Sequence, residues 1–198
     1  GGTGVGNVIH ANGASGVAVT GEPSTGNRIT RNSLAAHTGA GIDLLGVELE
    51  DPVDLGDADS GPNDLQNPPA IESAVYDAGA NTVEVAFRVE SDPVNATYPL
   101  TVEFFETDAA GNEGETFLGS ATFTETDWMA ATPLTAVFTP AAAIAVDDTI
   151  TATATDAGGL THSASIRPDP ETAARPFAAI PPALTPGAAP TPTTPPPV

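Results

Sequence analysis

Gly6-Asn7-Val8-Ile9-His10-Ala11-Asn12 recurs as Gly26-Asn27-Arg28-Ile29-Thr30-Arg31-Asn32, displaced by 20 residues. A second short apolar run follows each copy, Gly16-Val17-Ala18-Val19 and then Gly41-Ile42-Asp43-Leu44, displaced by 25 because Ser33 to Ala40 makes a longer connection. Self-similarity at this period marks a solenoid. The runs are too short for helices, so each repeat reads as short strands joined by turns. Ile9 is expected to stack over Ile29 inside, and Asn12 over Asn32 in a ladder at a corner, where Asn tolerates left-handed backbone. Two coils cannot cover both ends of their own core, and such folds need about three or more repeats plus caps. Further coils are therefore expected ahead of Gly1.

Beyond these coils the period changes to two. Val83, Val85, Phe87 and Val89 alternate with Glu84, Ala86, Arg88 and Glu90, and Leu100, Val102 and Phe104 with Thr101, Glu103 and Phe105. Similar runs cover Ile71 to Tyr76, Phe117 to Phe123, Leu134 to Phe138, Thr149 to Thr155 and Leu160 to Ile166, with Ile150, Ala152 and Ala154 on one face. Seven short strands separated by Asp-Ala-Gly, Ala-Gly-Asn and Ala-Gly-Gly turns predict an Ig-like antiparallel sandwich whose outer face is solvated. The Cys pair of an antibody domain is absent. Alternation stops near Ile166. From Pro168 onward Pro, Ala and Thr dominate without periodicity, the composition of a disordered, polyproline-biased tail or linker. The expected organisation is thus all-β: 1–46 the C-terminal coils of a parallel β-helix, 47–69 an acidic junction loop, 70–167 the sandwich, and 168–198 the tail.

Charge narrows the function. The chain carries 26 acids and 5 bases, a net charge of −21, and all five bases are Arg. A basic footprint for nucleic acid or anionic membranes is missing, and no apolar run approaches the roughly 20 residues of a membrane span. Without cysteine there is no disulfide framework, thiolate metal site or Cys nucleophile, and only His10, His37 and His162 offer imidazole.

The Gly-Asn-x-Ile repeats, together with Gly56-Asp57-Ala58-Asp59-Ser60-Gly61-Pro62-Asn63-Asp64-Leu65-Gln66-Asn67, resemble the last coils and the sandwich junction of bacterial secreted right-handed parallel β-helix repeat proteins. Glu103-Phe104-Phe105, Phe117-Leu118-Gly119-Ser120 and Ile150 to Asp156 are similar to that family's sandwich. The resemblance covers roughly residues 6 to 166 and implies export to the cell surface or medium of a bacterium. The expected role is structural or adhesive, with glycans or cell-surface components as partners, because the coils carry no clustered His, Lys or Arg. The competing expectation is the accessory C-terminal part of a carbohydrate-active enzyme, a polysaccharide lyase or hydrolase, whose catalytic coils lie upstream. No lyase-specific run of residues is present.

The densest group of candidate ligands is Asp54, Asp57, Asp59, Asn63 and Asp64. Calcium takes six to eight hard oxygen ligands, and a turn-rich loop can add backbone carbonyls. The spacing is not that of an EF-hand: counting from Asp57, Gly61 and Pro62 occupy positions 5 and 6, and Pro68 stands where the bidentate Glu belongs. The alternative is a string of Asx turns holding the junction. Gly1 to Ile9 nearly matches the calcium-binding β-roll nonapeptide, but Gly6 occupies the Asp position. Ser33, His37 and Asp43 make a Ser-His-Asp set on paper without any nucleophile-elbow motif. Arg28 and Arg31 alone could face sugar carboxylates in the coils. Trp128 is either a sugar-stacking platform or a cap on the sandwich core.

Overall fold

The computed structural model describes residues 6–22, 24–46, 53–145, 147–163, 175–176 and 178–179. It is an almost purely β structure. Two parallel two-stranded sheets come first: β1 (Val8–His10) pairs with β3 (Ser33–Ala35), and β2 (Val17–Ala18) with β4 (Ile42–Asp43). Val8 lies beside Ser33, Ile9 beside Leu34 and Val17 beside Ile42, so both pairs share one offset of 25. The expected stacking of Ile9 on Ile29 and of Asn12 on Asn32 is therefore wrong. Ile9 stacks on Leu34, Asn7 lies over Asn32, and Asn12 meets His37, whose Nδ1 accepts from the Asn12 amide at 3.0 Å.

The similarity that suggested 20 residues has a physical source. Asn7 donates its backbone and side-chain N–H to Asn32 Oδ1, at 2.9 and 3.1 Å. Asn27 makes the same two bonds to Asn63 Oδ1, at 2.9 and 3.2 Å. Gly-Asn-x-Ile is thus one corner design used at two different corners, not at one corner of successive coils. The true period shows in backbone geometry as well: Ala11 and Ala36, 25 apart, both take left-handed φ, 57° and 59°. Gly6 is required by close approach, because a Cβ there would lie 1.7 Å from the Arg31 carbonyl oxygen. Val19, Ile29, Leu34, Ile42, Leu44 and Leu65 form the apolar core of this part.

All seven alternating runs contribute strands, the last of them over Thr161–Ser163, with 164–166 outside the described residues. β5 (Pro69–Asp77), β6 (Thr82–Val89) and β9 (Leu134–Phe138) make one antiparallel sheet in the order β5-β6-β9. β7 (Leu100–Thr107), β8 (Gly114–Phe123), β10 (Thr149–Thr155) and β11 (Thr161–Ser163) make the other, ordered β11-β10-β7-β8. A short helix, α1 (Glu125–Met129), links β8 to β9 behind a capping box in which Thr124 and Asp127 bond reciprocally. The inward residues of both sheets meet in one core, with Phe87 against Phe104 at 5.3 Å between ring centroids and Phe104 stacked on Phe138 at 5.4 Å.

The outer face of the second sheet is not solvated. Thr151, Thr153 and Thr155 of β10 are buried, as are Glu103 and Phe105 of β7, because the coils pack on this face. Alternation correctly separated the two faces of β10 but could not show that both are covered. Two further strands fall within the expected tail: β12 (Arg175–Pro176) pairs with Thr149 and Ile150, and β13 (Ala178–Ala179) pairs in parallel with Val75 and Tyr76. The rest of 168–198 lies outside the described residues, as do 47–52 of the junction.

Candidate functional site: the acidic junction and the coil–sandwich joint

The five candidate calcium ligands divide. Asp54, Asp57 and Asp59 come together, with ligand oxygens all within 4.8 Å of one another. Asn63 goes elsewhere: it is fully buried at the corner described above, donating to the carbonyls of Asn27 and Thr161 at 2.8 and 3.1 Å. Asp64 is exposed. The tight turn Pro62–Leu65 makes this separation, since Asn63, Asp64 and Leu65 all adopt left-handed backbone at φ 49°. Asn and Asp accept that conformation at low cost; Leu does not. The burial of Leu65 in the coil core offsets its strain.

Within the triad, Asp57 is the buried member. Its Oδ1 accepts from the Asn67 amide and its Oδ2 from Gln66 Nε2, both at 2.8 Å. Burial pushes its carboxyl up to about 6, with hydrogen bonds opposing and the Asp59 and Asp54 charges adding to the rise. Asp54 Oδ2 accepts from the Ala58 amide at 2.8 Å, while Asn67 Nδ2 bonds the Asp54 and Glu90 carbonyls at 2.8 and 2.6 Å. Gln66 also reaches Ser91 Oγ at 2.6 Å, and His162 Nδ1 donates to the Gln66 carbonyl at 2.7 Å. The junction is a latch in which Asp57, Gln66 and Asn67 tie the loop to the ends of β5, β6 and β11.

A second set of acids, which sequence reasoning passed over, holds the coils to the sandwich. Glu103 Oε2 accepts from the Arg31 amide at 2.9 Å, Asp108 Oδ2 from the Ala36 amide at 3.2 Å, and Glu113 Oε2 from the His37 amide at 3.2 Å. Thr161 Oγ1 accepts from Ile29 at 3.0 Å. Burial raises the carboxyls of Glu103 and Glu113, opposed in each case by the hydrogen bond to the coil backbone. Arg31 pairs loosely with Glu103 at 3.7 Å and lies 4.3 Å over the Phe117 ring. The only hint in the sequence was the placement of Glu103 opposite the core face of β7. The backbone groups it serves lie 72 residues away.

The Ser33-His37-Asp43 set is not assembled. Ser33 Oγ bonds His10 Nε2 at 3.1 Å, His37 Nδ1 is taken by Asn12, and Asp43 accepts from Ser15, Leu45 and Gly46. Trp128 sits half-buried on α1 and packs against the sandwich core. No family model, curated protein or solved structure matches this chain. Among the described residues no helix is long and apolar enough to cross a membrane.

Proposed function

We propose that this chain is a non-enzymatic structural or adhesive module of an exported bacterial surface protein, the end of a right-handed parallel β-helix closed by an Ig-like sandwich. The observation that carries this reading is the use made of the buried acids: Glu103, Asp108 and Glu113 each spend an oxygen on a coil backbone amide. Groups held that way fasten two units together. Catalysis asks instead for groups facing a cleft where a substrate can reach them. The shared 25-residue offset supports the β-helix. The sheet orders β5-β6-β9 and β11-β10-β7-β8 support the Ig-like part, corresponding to an ABE sheet on a GFCC′ sheet. In this reading the sandwich is the cap that a stack of coils needs. Glycans, if bound, are neutral or calcium-bridged, since the net charge of −21 repels free polyuronates.

The purified chain is expected to release no products from a panel of neutral and acidic polysaccharides, with or without calcium. Turnover abolished by Asp43→Asn or His37→Ala in a folded protein overturns the reading in favour of a carbohydrate-active enzyme.

Calcium enters as the cation of the junction. The crowding of Asp54, Asp57 and Asp59 supports it, as does Gln66, which donates to Asp57 while its own Oε1 is buried without a protein partner. Millimolar calcium is expected to raise the melting temperature, in proportion to RT ln(1 + [L]/Kd), and to do so much less in Asp57→Ala/Asp59→Ala. An equal rise in the double variant, or with sodium at matched ionic strength, reduces the effect to charge screening.

A further inference from the structure

Asparagine followed by glycine occurs once in the chain, at Asn12-Gly13, although there are nine asparagines. The pair lies on an exposed bend of the first coil, between β1 and β2. The Asn12 side-chain amide is lightly held there: its bonds to the Ser15 and Gly16 carbonyls are both 3.4 Å long, outside the roughly 2.7–3.2 Å of a well-formed N–H···O bond. The Gly13 N–H has no hydrogen-bond partner among the described residues, and the space where a Cβ would stand is open, with nothing within 4 Å. Glycine also moves through backbone conformations closed to other residues. Other asparagines lack these freedoms. Asn67 is gripped at 2.8 and 2.6 Å and precedes Pro68, whose nitrogen carries no hydrogen. Asn95 donates to the Gly56 carbonyl at 2.9 Å, and the next amide, that of Ala96, is taken by the Asp92 carbonyl at 3.0 Å.

We propose that Asn12-Gly13 is a site of self-modification, at which the chain converts Asn12 to isoaspartate. The Gly13 backbone nitrogen attacks Asn12 Cγ. The new N–Cγ bond closes a succinimide ring, the Cγ–Nδ2 bond breaks, and Nδ2 leaves as ammonia with the hydrogen that the attacking nitrogen gave up. Water then opens the ring. Attack at Cγ restores the main chain and leaves an aspartate, whereas attack at the main-chain carbonyl leaves an isoaspartate, whose chain runs through the former side chain. The reacting atoms belong to adjacent residues, so no further group has to be brought to them, and water is the one co-reactant. The effect reaches the second coil. The Asn12 amide donates to His37 Nδ1 at 3.0 Å and its carbonyl accepts from Thr38 at 3.3 Å, so this residue lays one coil on the next. Isoaspartate lengthens the main chain between those two bonds and adds negative charge to a chain already at −21. The modification is independent of whether the chain is adhesive.

The test holds the folded full chain in warm, mildly alkaline buffer and digests samples over time. Products are located by tandem mass spectrometry and by labelling with an isoaspartyl methyltransferase. Asn12 is expected to be converted ahead of the other eight asparagines, with isoaspartate among the products, and the aged chain to melt at a lower temperature. Gly13→Ala, which places its methyl in open space, is expected to lose most of the product, and Asn12→Gln to lose the label altogether. An unchanged yield at Asn12 in Gly13→Ala overturns the inference, as does equal conversion of the other asparagines. So does conversion in urea but not in the folded chain, because the coil then protects the bend.

Discussion

Asn63 shows what single residues do in this chain. Its oxygen receives two N–H groups of Asn27, and its amide gives two hydrogens to the carbonyls of Asn27 and Thr161, so one side chain joins the coil corner, the junction turn and the last sandwich strand. It also holds left-handed backbone. Asn63→Ala strands several buried groups at once. A loss of about 3 kcal/mol or more is expected in urea unfolding, against a small change for Asp64→Ala on the exposed side of the same turn. In the sequence, Asn63 was indistinguishable from the acids beside it, because ligand density counts oxygens without knowing which way a turn sends them. Asp54, Asp57 and Asp59 were legible as a group. The departure of Asn63 and Asp64 was decided by three successive left-handed residues, which composition does not announce.

Elements were read unevenly for a related reason. The sandwich strands β5 to β11 were legible because each displays an apolar face at period two over several residues. The coil strands are two or three residues long, and at that length a corner motif outweighs the period it sits in. Gly6-Asn7 and Gly26-Asn27 looked like successive copies, yet the chain stacks Asn7 on Asn32. The correct register yields a sharp test. Gly6→Ala drives a methyl into the Arg31 carbonyl and should cost about 3 kcal/mol or more, through overpacking against main chain that cannot step aside. Gly13→Ala, with nothing within 4 Å of the new methyl, should be close to neutral. Equal thermal shifts in the two variants would refute the 25-residue stacking. The buried Thr face of β10 was illegible for a different reason, since threonine serves equally well facing water or facing another domain.

At the scale of the whole molecule, the balance of charge sets the response to pH. Asp57, Glu103 and Glu113 are all held above their ordinary values by burial. A carboxyl shifted upward favours its protonated form in the fold. Its contribution is complete below the unfolded value and is lost as pH rises through the folded one. For Asp57 that window runs from 3.8 to about 6. The unfolding free energy is therefore expected to rise as pH is lowered from 7.5 to 5, with relief of self-repulsion among the 26 acids adding to it. Asp57→Asn should flatten the part of the profile between about pH 4 and 6. A stability maximum above pH 7, followed by chemical denaturation across that range, would contradict the assignment.

The bonds that fasten the sandwich to the coils end on peptide N–H groups at positions 31, 36 and 37. Every residue except proline carries that group, so most substitutions at these positions leave the donors in place. Such a fastening is indifferent to spelling. Exchange of the side chains at these positions is therefore expected to leave the three bonds in place, and coil sequence is constrained at the joint chiefly by the apolar packing of Ile29, Leu34 and Phe105.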